Sequence, residues 1–425
     1  MRKLAICLCL SVMLCAAAAA QSTETVLYSF GAYPNDGAFP DGGLLVDQSG
    51  NIYGVTNGGG AYCENDGGCG TVYELSPALG GGWTETVLHN FCSTGISFTC
   101  PDGAIPYAGL VEDEAGNLYG TTSLGGTGKY GIVYRLSPPA EPGGSWTQTT
   151  LWNFSGGAHN GFEPGLGKLN IDKSGNIYGT TTEGGSKNFG VVFELSPNAQ
   201  GSYSFSLLHS FSGPDGAYPQ YGVALDAAGN LYGTTERGGV KSSACFVTNP
   251  PANTCGVVYE LSPSNGTWTE TVLHRFNGIT GFYPITPISF DASGNLYGTF
   301  AGGGEGSGCF YLTCGGVFKL VPGSDFKFYS FDFDGVKGNG TPESGVLVVG
   351  PNELYGSGGQ PLSPGNVYRL TGGRQSILYS FCSLPGCADG SAPVNGTIVS
   401  RNGLLYGATY EGGANGVGVV YSLTK

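Results

Sequence analysis

The stretch Asp113-Glu-Ala-Gly-Asn-Leu-Tyr-Gly-Thr-Thr122, followed after a glycine-rich gap by Gly131-Ile-Val-Tyr-Arg-Leu-Ser-Pro138, decides the fold. Its first half reads as a tight turn on Asp-x-x-Gly-Asn leading into a short apolar strand. Its second half reads as a strand that Ser137-Pro138 stops, because proline has no N–H to give a central ladder. The same text recurs along the chain, with its Tyr-Gly pair at Tyr53-Gly54, Tyr119-Gly120, Tyr178-Gly179, Tyr232-Gly233, Tyr297-Gly298, Tyr355-Gly356 and Tyr406-Gly407. Seven copies at a period of about 50 to 65 residues mark a repeat architecture, whose units bury their faces on one another.

Outward from that stretch, each copy holds four apolar runs. In the second copy they are Ala108 to Asp113, Asn117 to Thr122, Gly131 to Leu136 and Trp146 to Phe154, and Asn160-Gly-Phe-Glu-Pro164 leads into the next copy. Four antiparallel strands per unit predict an all-β fold, a seven-bladed β-propeller. Runs such as Glu270 to Phe276 are apolar on both faces, which suits a blade held between two others. The 78 glycines cluster at fixed offsets between these runs, as turn punctuation does, with no three-residue period. A β-solenoid also repeats, but its coils are shorter and lack such hairpin turns.

The phase of the repeat predicts how the ring closes. A fourth-type strand, Glu24 to Phe30, precedes any first-type strand, and the last run, Gly418 to Leu423, is of the third type. The N-terminal strand is therefore expected to complete the last blade and remove a raw sheet edge.

Residues 1–20 read as a signal peptide, with Arg2 and Lys3, an apolar run from Leu4 to Cys15, and small residues up to Ala20. Residues 21–425 are then one propeller domain, expected outside the cytoplasm, in the extracellular space or periplasm. Leu14 before Cys15 disfavours a lipidated cysteine, and no later run is long enough to cross a bilayer. The ten remaining cysteines form five close pairs: Cys63 with Cys69, Cys92 with Cys100, Cys245 with Cys255, Cys309 with Cys314, and Cys382 with Cys387. In an exported chain that pattern predicts five local disulfides. Zinc would need a cluster of four ligands, and no histidine neighbours these pairs.

Charged residues make up 11% of the chain and the net charge is −14, so no cationic stripe tracks a phosphate backbone. Nucleic acid is excluded as a partner, and anionic membranes are disfavoured. Glycans, divalent cations and other proteins remain.

Gly116 to Thr122, Gly125-Gly126 and Val133 to Pro138 resemble the GloVer tandem-repeat family, exported bacterial proteins with varied C-terminal anchors. The resemblance covers residues 22–425. It implies a propeller-like exported repeat protein and brings no catalytic residues with it. Copy six departs most, since Glu353-Leu-Tyr-Gly-Ser-Gly-Gly lacks both the Asp-x-x-Gly-Asn turn and the threonine pair. The last strand pattern runs to Lys425, so no C-terminal anchor is expected.

His89, His209 and His274 occupy one repeat slot, two residues before the phenylalanine of the fourth strand, which elsewhere holds Tyr28, Trp152, Tyr329 and Tyr379. A slot that takes all three ring types reads as aromatic packing, and only His159 falls off the pattern. Asp47, Asp113, Asp172, Asp226 and Asp291 begin the tight turns, where an aspartate bonds backbone amides; calcium is the alternative use of such carboxylates. A second element, [Asp/Asn]-Gly-x-x-Pro, enters most copies and supplies Asp36, Asp102, Asp215 and Asp389. In a four-stranded blade these crossovers share one face with the loops after the second strand, which carry Glu183, Glu236, Arg237 and Glu411. That disulfide-trimmed face is the candidate ligand site, with the crossover acids binding a cation or sugar hydroxyls at the channel mouth or simply capping the turn. Calcium is the one cofactor entertained, and no metal ligand set is assigned. No catalytic motif is present, so no catalytic residue is named. The expected protein is a monomeric, non-enzymatic scaffold for an extracellular glycan or protein. A propeller lyase or hydrolase acting on polysaccharide, and a structural surface component, are the alternatives.

Overall fold

The Tyr-Gly pairs lie in the second strand of every blade, and their glycines admit an aromatic ring. A Cβ at Gly54 or Gly120 would overlap the ring of Tyr73 or Tyr134 on the third strand, and one at Gly179 would lie 2.6 Å from Phe193. The register pairs each such glycine with that ring, as in Gly54 with Tyr73 and Gly407 with Tyr421. The repeated glycine and the repeated [Tyr/Phe] are thus one packing unit.

A computed structural model describes residues 22–31, 34, 36–63, 68–93, 100–141, 143–245, 250–303, 315–323, 327–332, 341–342, 344–359, 364–393 and 399–425. The predicted signal peptide and the Cys309–Cys314 pair lie outside them. The described residues form seven antiparallel sheets, the blades of a β-propeller. The first blade runs Gly37–Val46, Ile52–Gly59, Thr71–Pro77 and Trp83–Asn90, in that order across the sheet. No helix among the described residues is long and apolar enough to cross a membrane.

The ring closes as the phase requires. Glu24–Ser29 pairs antiparallel with Val419–Thr424 and forms the outer edge of the last sheet. Phe30 N donates to Gly418 O at 3.1 Å, and Asn415 Nδ2 donates to Phe30 O at 2.8 Å.

The first strands are shorter than the sequence suggests. The run Ala108 to Asp113 keeps only Val111–Glu112 as strand, and in the third blade Gly161–Pro164 and Asn170–Ile171 are separate pieces. Near the axis these segments meet the next blade instead of their own ladder. Gly167 N donates to Gln220 O at 3.1 Å, and a Cβ at Gly109 would lie 2.7 Å from Gly43 O.

The core sits between blades. Phe30 of the N-terminal strand packs edge-on against Tyr73 of the first blade at 5.1 Å, and the step recurs in Phe91–Tyr134, Phe154–Phe193, Phe211–Tyr259 and Phe381–Tyr421. Each ring pair adds about 0.5–1.5 kcal/mol to the burial of its rings. On the crossover side, the residue before each proline reaches back to the preceding blade. Phe39, Ile105, Glu163, Tyr218, Tyr283 and Ala392 have φ between 53° and 60°. Their amides donate to Val417, Cys69, Tyr130, Phe189, Cys255 and Pro364 carbonyls. The [Asp/Asn]-Gly-x-x-Pro element is therefore an inter-blade latch, and each latch turns the side chain before the proline onto the loop face.

Candidate functional site at the channel mouth

The carboxylates fall into three groups by what holds them. The turn acids hold their own turns. Asp113 Oδ1 accepts from Ala115 N and Asn117 N, both at 2.9 Å, while Oδ2 accepts from Asn117 Nδ2 at 2.8 Å and Tyr119 Oη at 2.9 Å. Asp172, Asp226 and Asp291 repeat this set. Burial alone would raise the Asp113 carboxyl; the bonds from Asn117, Tyr119 and Ala115 outweigh it and hold the pKa below the ordinary aspartate value.

The crossover acids hold the crossover. Asp36 accepts from Tyr28 Oη at 2.8 Å and from Gly31 N and Gly37 N. Asp389 accepts from Tyr379 Oη at 2.8 Å and from Ser383 N at 2.9 Å. Asp215 lies 3.1 Å from His209 Nε2 and accepts from Ser212 N at 2.9 Å. Asp102 accepts from Ser93 N at 3.0 Å, with His89 Nε2 at 3.4 Å. Burial would raise Asp215, but His209 and Ser212 together bring it down to about 2.

The aromatic slot thus does more than pack. Its ring stands edge-on to the following phenylalanine, as His209 does to Phe211 at 4.7 Å, and its polar edge meets the crossover acid. Tyrosine and histidine share the slot because both present a polar atom there. Where Thr280 replaces the acid, His274 Nε2 lies 3.1 Å from its hydroxyl, and burial lowers this imidazole to about 4. Each of Asp36, Asp102, Asp215 and Asp389 is bonded within its own crossover, and no hydrogen bond joins any two of them among the described residues.

A third group lies between the crossovers and the axis. Segments of all seven blades enclose an axial channel of about 360 Å³. Ile285, which lines it, follows a latch proline, and the same repeat position holds Asp41, Tyr107 and Gln220 in other blades. Asp41 is buried at 4% exposure. Asn57 Nδ2 reaches both Asp41 Oδ2, at 3.4 Å, and Tyr410 Oη, at 3.3 Å, while Phe39 stacks on Tyr410 at 5.0 Å. Burial, then Tyr410, Asp41 and Glu163, raises the Tyr107 hydroxyl, and burial followed by Glu183 raises Glu163. Farther round, Gln220 Nε2 donates to Glu236 Oε2 at 2.5 Å and Arg237 Nε to Glu236 Oε1 at 3.0 Å. The Arg237 guanidinium lies 5.3 Å from the Tyr218 ring centroid. Tyr218 and Tyr283 are both raised by burial first and feel Arg237 and Glu236 as neighbours.

The structure thus joins Glu183, Glu236 and Arg237 into one arc of tyrosines, carboxylates and amides that passes from the last blade to the fifth. Glu411, exposed, follows Tyr410 at the end of this arc. Sequence reasoning missed Asp41, Asn57, Tyr107, Tyr218, Gln220, Tyr283 and Tyr410. One signal was available: the position after the latch proline changes chemistry from blade to blade while the proline itself stays constant.

Four of the five predicted disulfides fall among the described residues: Cys63–Cys69, Cys92–Cys100, Cys245–Cys255 and Cys382–Cys387. The fold also brings together what the sequence kept apart. The sulfurs of Cys63, Cys69, Cys92 and Cys100 lie within 4.8 Å of one another. Four thiolates so placed match a structural zinc set, whereas two closed bridges leave no thiolate to bind one.

Among solved structures, the fold is similar to a polysaccharide lyase of family PL25, an ulvan lyase, at 11% identity and TM-score 0.51, covering 94% of this chain and 95% of that one. A protein of unknown function from Dyadobacter fermentans is similar at 13% identity and TM-score 0.44, covering 95% and 98%. At these identities the likeness is one of fold. No curated protein matches the chain by sequence. The profile of the Gloeobacter/Verrucomicrobia repeat matches residues 13–141, 68–255 and 245–421, overlapping stretches that together span all seven blades. The chain belongs to the Gloeobacter/Verrucomicrobia repeat family.

Proposed function

We propose that this protein is an exported scaffold that binds an extracellular glycan at the loop face, through the arc around the channel mouth. One observation carries the reading: the periodic carboxylates are engaged in turns and latches, while the side chains that differ between blades gather at the mouth. Tyr107, Tyr218, Tyr283 and Tyr410 offer an apolar ring face and a polar tip, the pairing that suits the CH faces and hydroxyls of a sugar ring. Asp41, Glu163, Glu183 and Glu236 accept hydrogen bonds, and Asn57, Gln220 and Arg237 donate them. Rigid blades beneath latched loops hold these groups in place before a ligand arrives, which lowers the entropy cost of binding. Export is supported by the leader pattern of residues 1–20 and by the disulfides.

The test is a glycan panel, run with and without calcium, on wild type and on Tyr218→Ala and Tyr410→Ala. Each substitution is expected to weaken a positive glycan at least tenfold, about 1.4 kcal/mol, with unchanged thermal unfolding. Binding that survives both would overturn the assignment of the arc. New chain ends released from the bound glycan would establish the lyase or hydrolase reading in its place.

A further inference from the structure

The five copies that carry a turn acid keep a constant length between the latch proline and that acid, with one exception. Pro40 and Asp47, Pro106 and Asp113, Pro219 and Asp226, and Pro284 and Asp291 stand seven residues apart; Pro164 and Asp172 stand eight apart. The buried apolar anchor of this segment shows where the extra residue lies. Leu44, Leu110, Val223 and Ile288 each come four residues after the proline, whereas the third-blade anchor, Leu169, comes five after. The residue before Leu169 is Lys168. Because the anchor keeps its place in the core, the added residue is displaced toward the axis, and Leu166, Gly167 and Lys168 line the channel. Glycine is required beside the bulge, since a Cβ at Gly167 would overlap the Tyr221 backbone.

Lys168 is the only charged side chain among the described residues that line the channel. The wall around it is glycine backbone, aliphatic side chains, Tyr221, Thr286, Ser289 and Phe290. Among the described residues it makes no hydrogen bond or ion pair; the protein wall crowded around the channel disfavours the charged form and lowers its pKa, with no carboxylate to oppose that. Lys168 is exposed to the channel, so its ammonium keeps solvent while it faces a wall that offers no counter-charge.

We propose that Lys168 marks an anion-binding site in the axial channel, taking a small organic monocarboxylate whose oxygens meet the ammonium while its carbon skeleton lies against the neutral wall. One cation balances one negative charge, which favours a carboxylate over a phosphate dianion. A volume of about 360 Å³ sits at the small end of ligand pockets, so the occupant is a single small molecule and not a threaded polymer. This site rests on the insertion and on the unpaired lysine, and stands whether or not the arc above it binds a glycan.

The test uses the full chain, with acetate and D-glucuronate as probes, D-glucose as the neutral control, and ionic strength held constant with chloride. Calorimetric titration is expected to show millimolar or tighter binding of at least one carboxylate and none of glucose. Thermal unfolding should shift upward with that carboxylate by mass action. Lys168→Met should lose at least tenfold in affinity while unfolding no lower than wild type without ligand, and Lys168→Arg should retain binding. Carboxylate binding undiminished in Lys168→Met, or no carboxylate binding to wild type, would overturn the proposal. Should Lys168→Met not fold, acetylation of wild-type Lys168 by an amine-reactive ester, followed by peptide mass spectrometry, decides the matter. The bound carboxylate should slow that modification, and an unchanged rate would count against the site.

Discussion

Gly418 stands at the joint where the ring closes, and replacing it by alanine tests that closure quantitatively. Its φ is +101°, and a Cβ there would overlap Thr409 O of its own blade and lie 2.5 Å from Cδ of Pro40 in the first blade. Gly80 provides the control: its φ is +97°, it lies in an exposed loop, and a Cβ there would meet nothing within 4 Å. Gly80→Ala therefore carries backbone strain alone, about 1–2 kcal/mol. Gly418→Ala carries a similar strain plus overpacking of about 1–3 kcal/mol, because the atoms it meets belong to backbone and a latched proline ring. The expected difference is about 2 kcal/mol, read as a lower urea midpoint at equal m-value. Adding Pro40→Ala should return part of the loss in the Gly418→Ala background beyond its own effect, since it removes one of the two overlaps. Equal destabilisation by Gly418→Ala and Gly80→Ala would refute the closure geometry.

Stability should also fall on both sides of mildly acidic pH, for opposite reasons. Burial, then the neighbouring crossover acids Asp389 and Asp36, raises Glu24 and Glu85 to about 7. The folded state binds these protons more tightly, so their contribution is complete below the unfolded pKa of about 4.5 and is lost as pH rises through 7. Both groups are partly open to solvent, which reduces the effect to about 1 kcal/mol each. Asp215, at about 2, acts the other way: its contribution is present above the unfolded pKa of about 3.9 and disappears as pH falls through 2. Melting temperature against pH should show both limbs, and Glu24→Gln with Glu85→Gln should flatten only the neutral one. A neutral limb unchanged in that double variant would exclude these carboxyls as its source. Separately, thiol titration of the purified protein should find no free thiol, and full reduction should open the four-sulfur cluster to zinc. Reduced protein that takes up no zinc would show that these sulfurs do not hold a metal-binding geometry once the bridges open.

Much of the fold was legible because a propeller is built from intervals. The Tyr-Gly pair, the third-strand ring and the latch proline recur at fixed offsets, and a periodic packing unit leaves a periodic trace. The first strands were read too long, since apolar pattern does not reveal that the glycines of Gly42-Gly43 and Gly109 bring neighbouring backbones together at the axis. The aromatic slot was read as packing, which is half of it. Its bond to the crossover acid became visible only when His209 and Asp215, six residues apart, were seen across a tight turn.

By itself the sequence determined the number of blades, their four-stranded phase, the closing strand and the four cysteine pairs among the described residues, because each depends on spacing along the chain. Tertiary structure alone decided which blades' side chains meet. Asn57 bonds Tyr410 across 353 residues, four sulfurs from two loops share one pocket, and Lys168 faces a channel built by all seven blades. The physical reason is closure: a ring converts equal steps along the sequence into convergence at an axis, and no local pattern records which residues arrive there together.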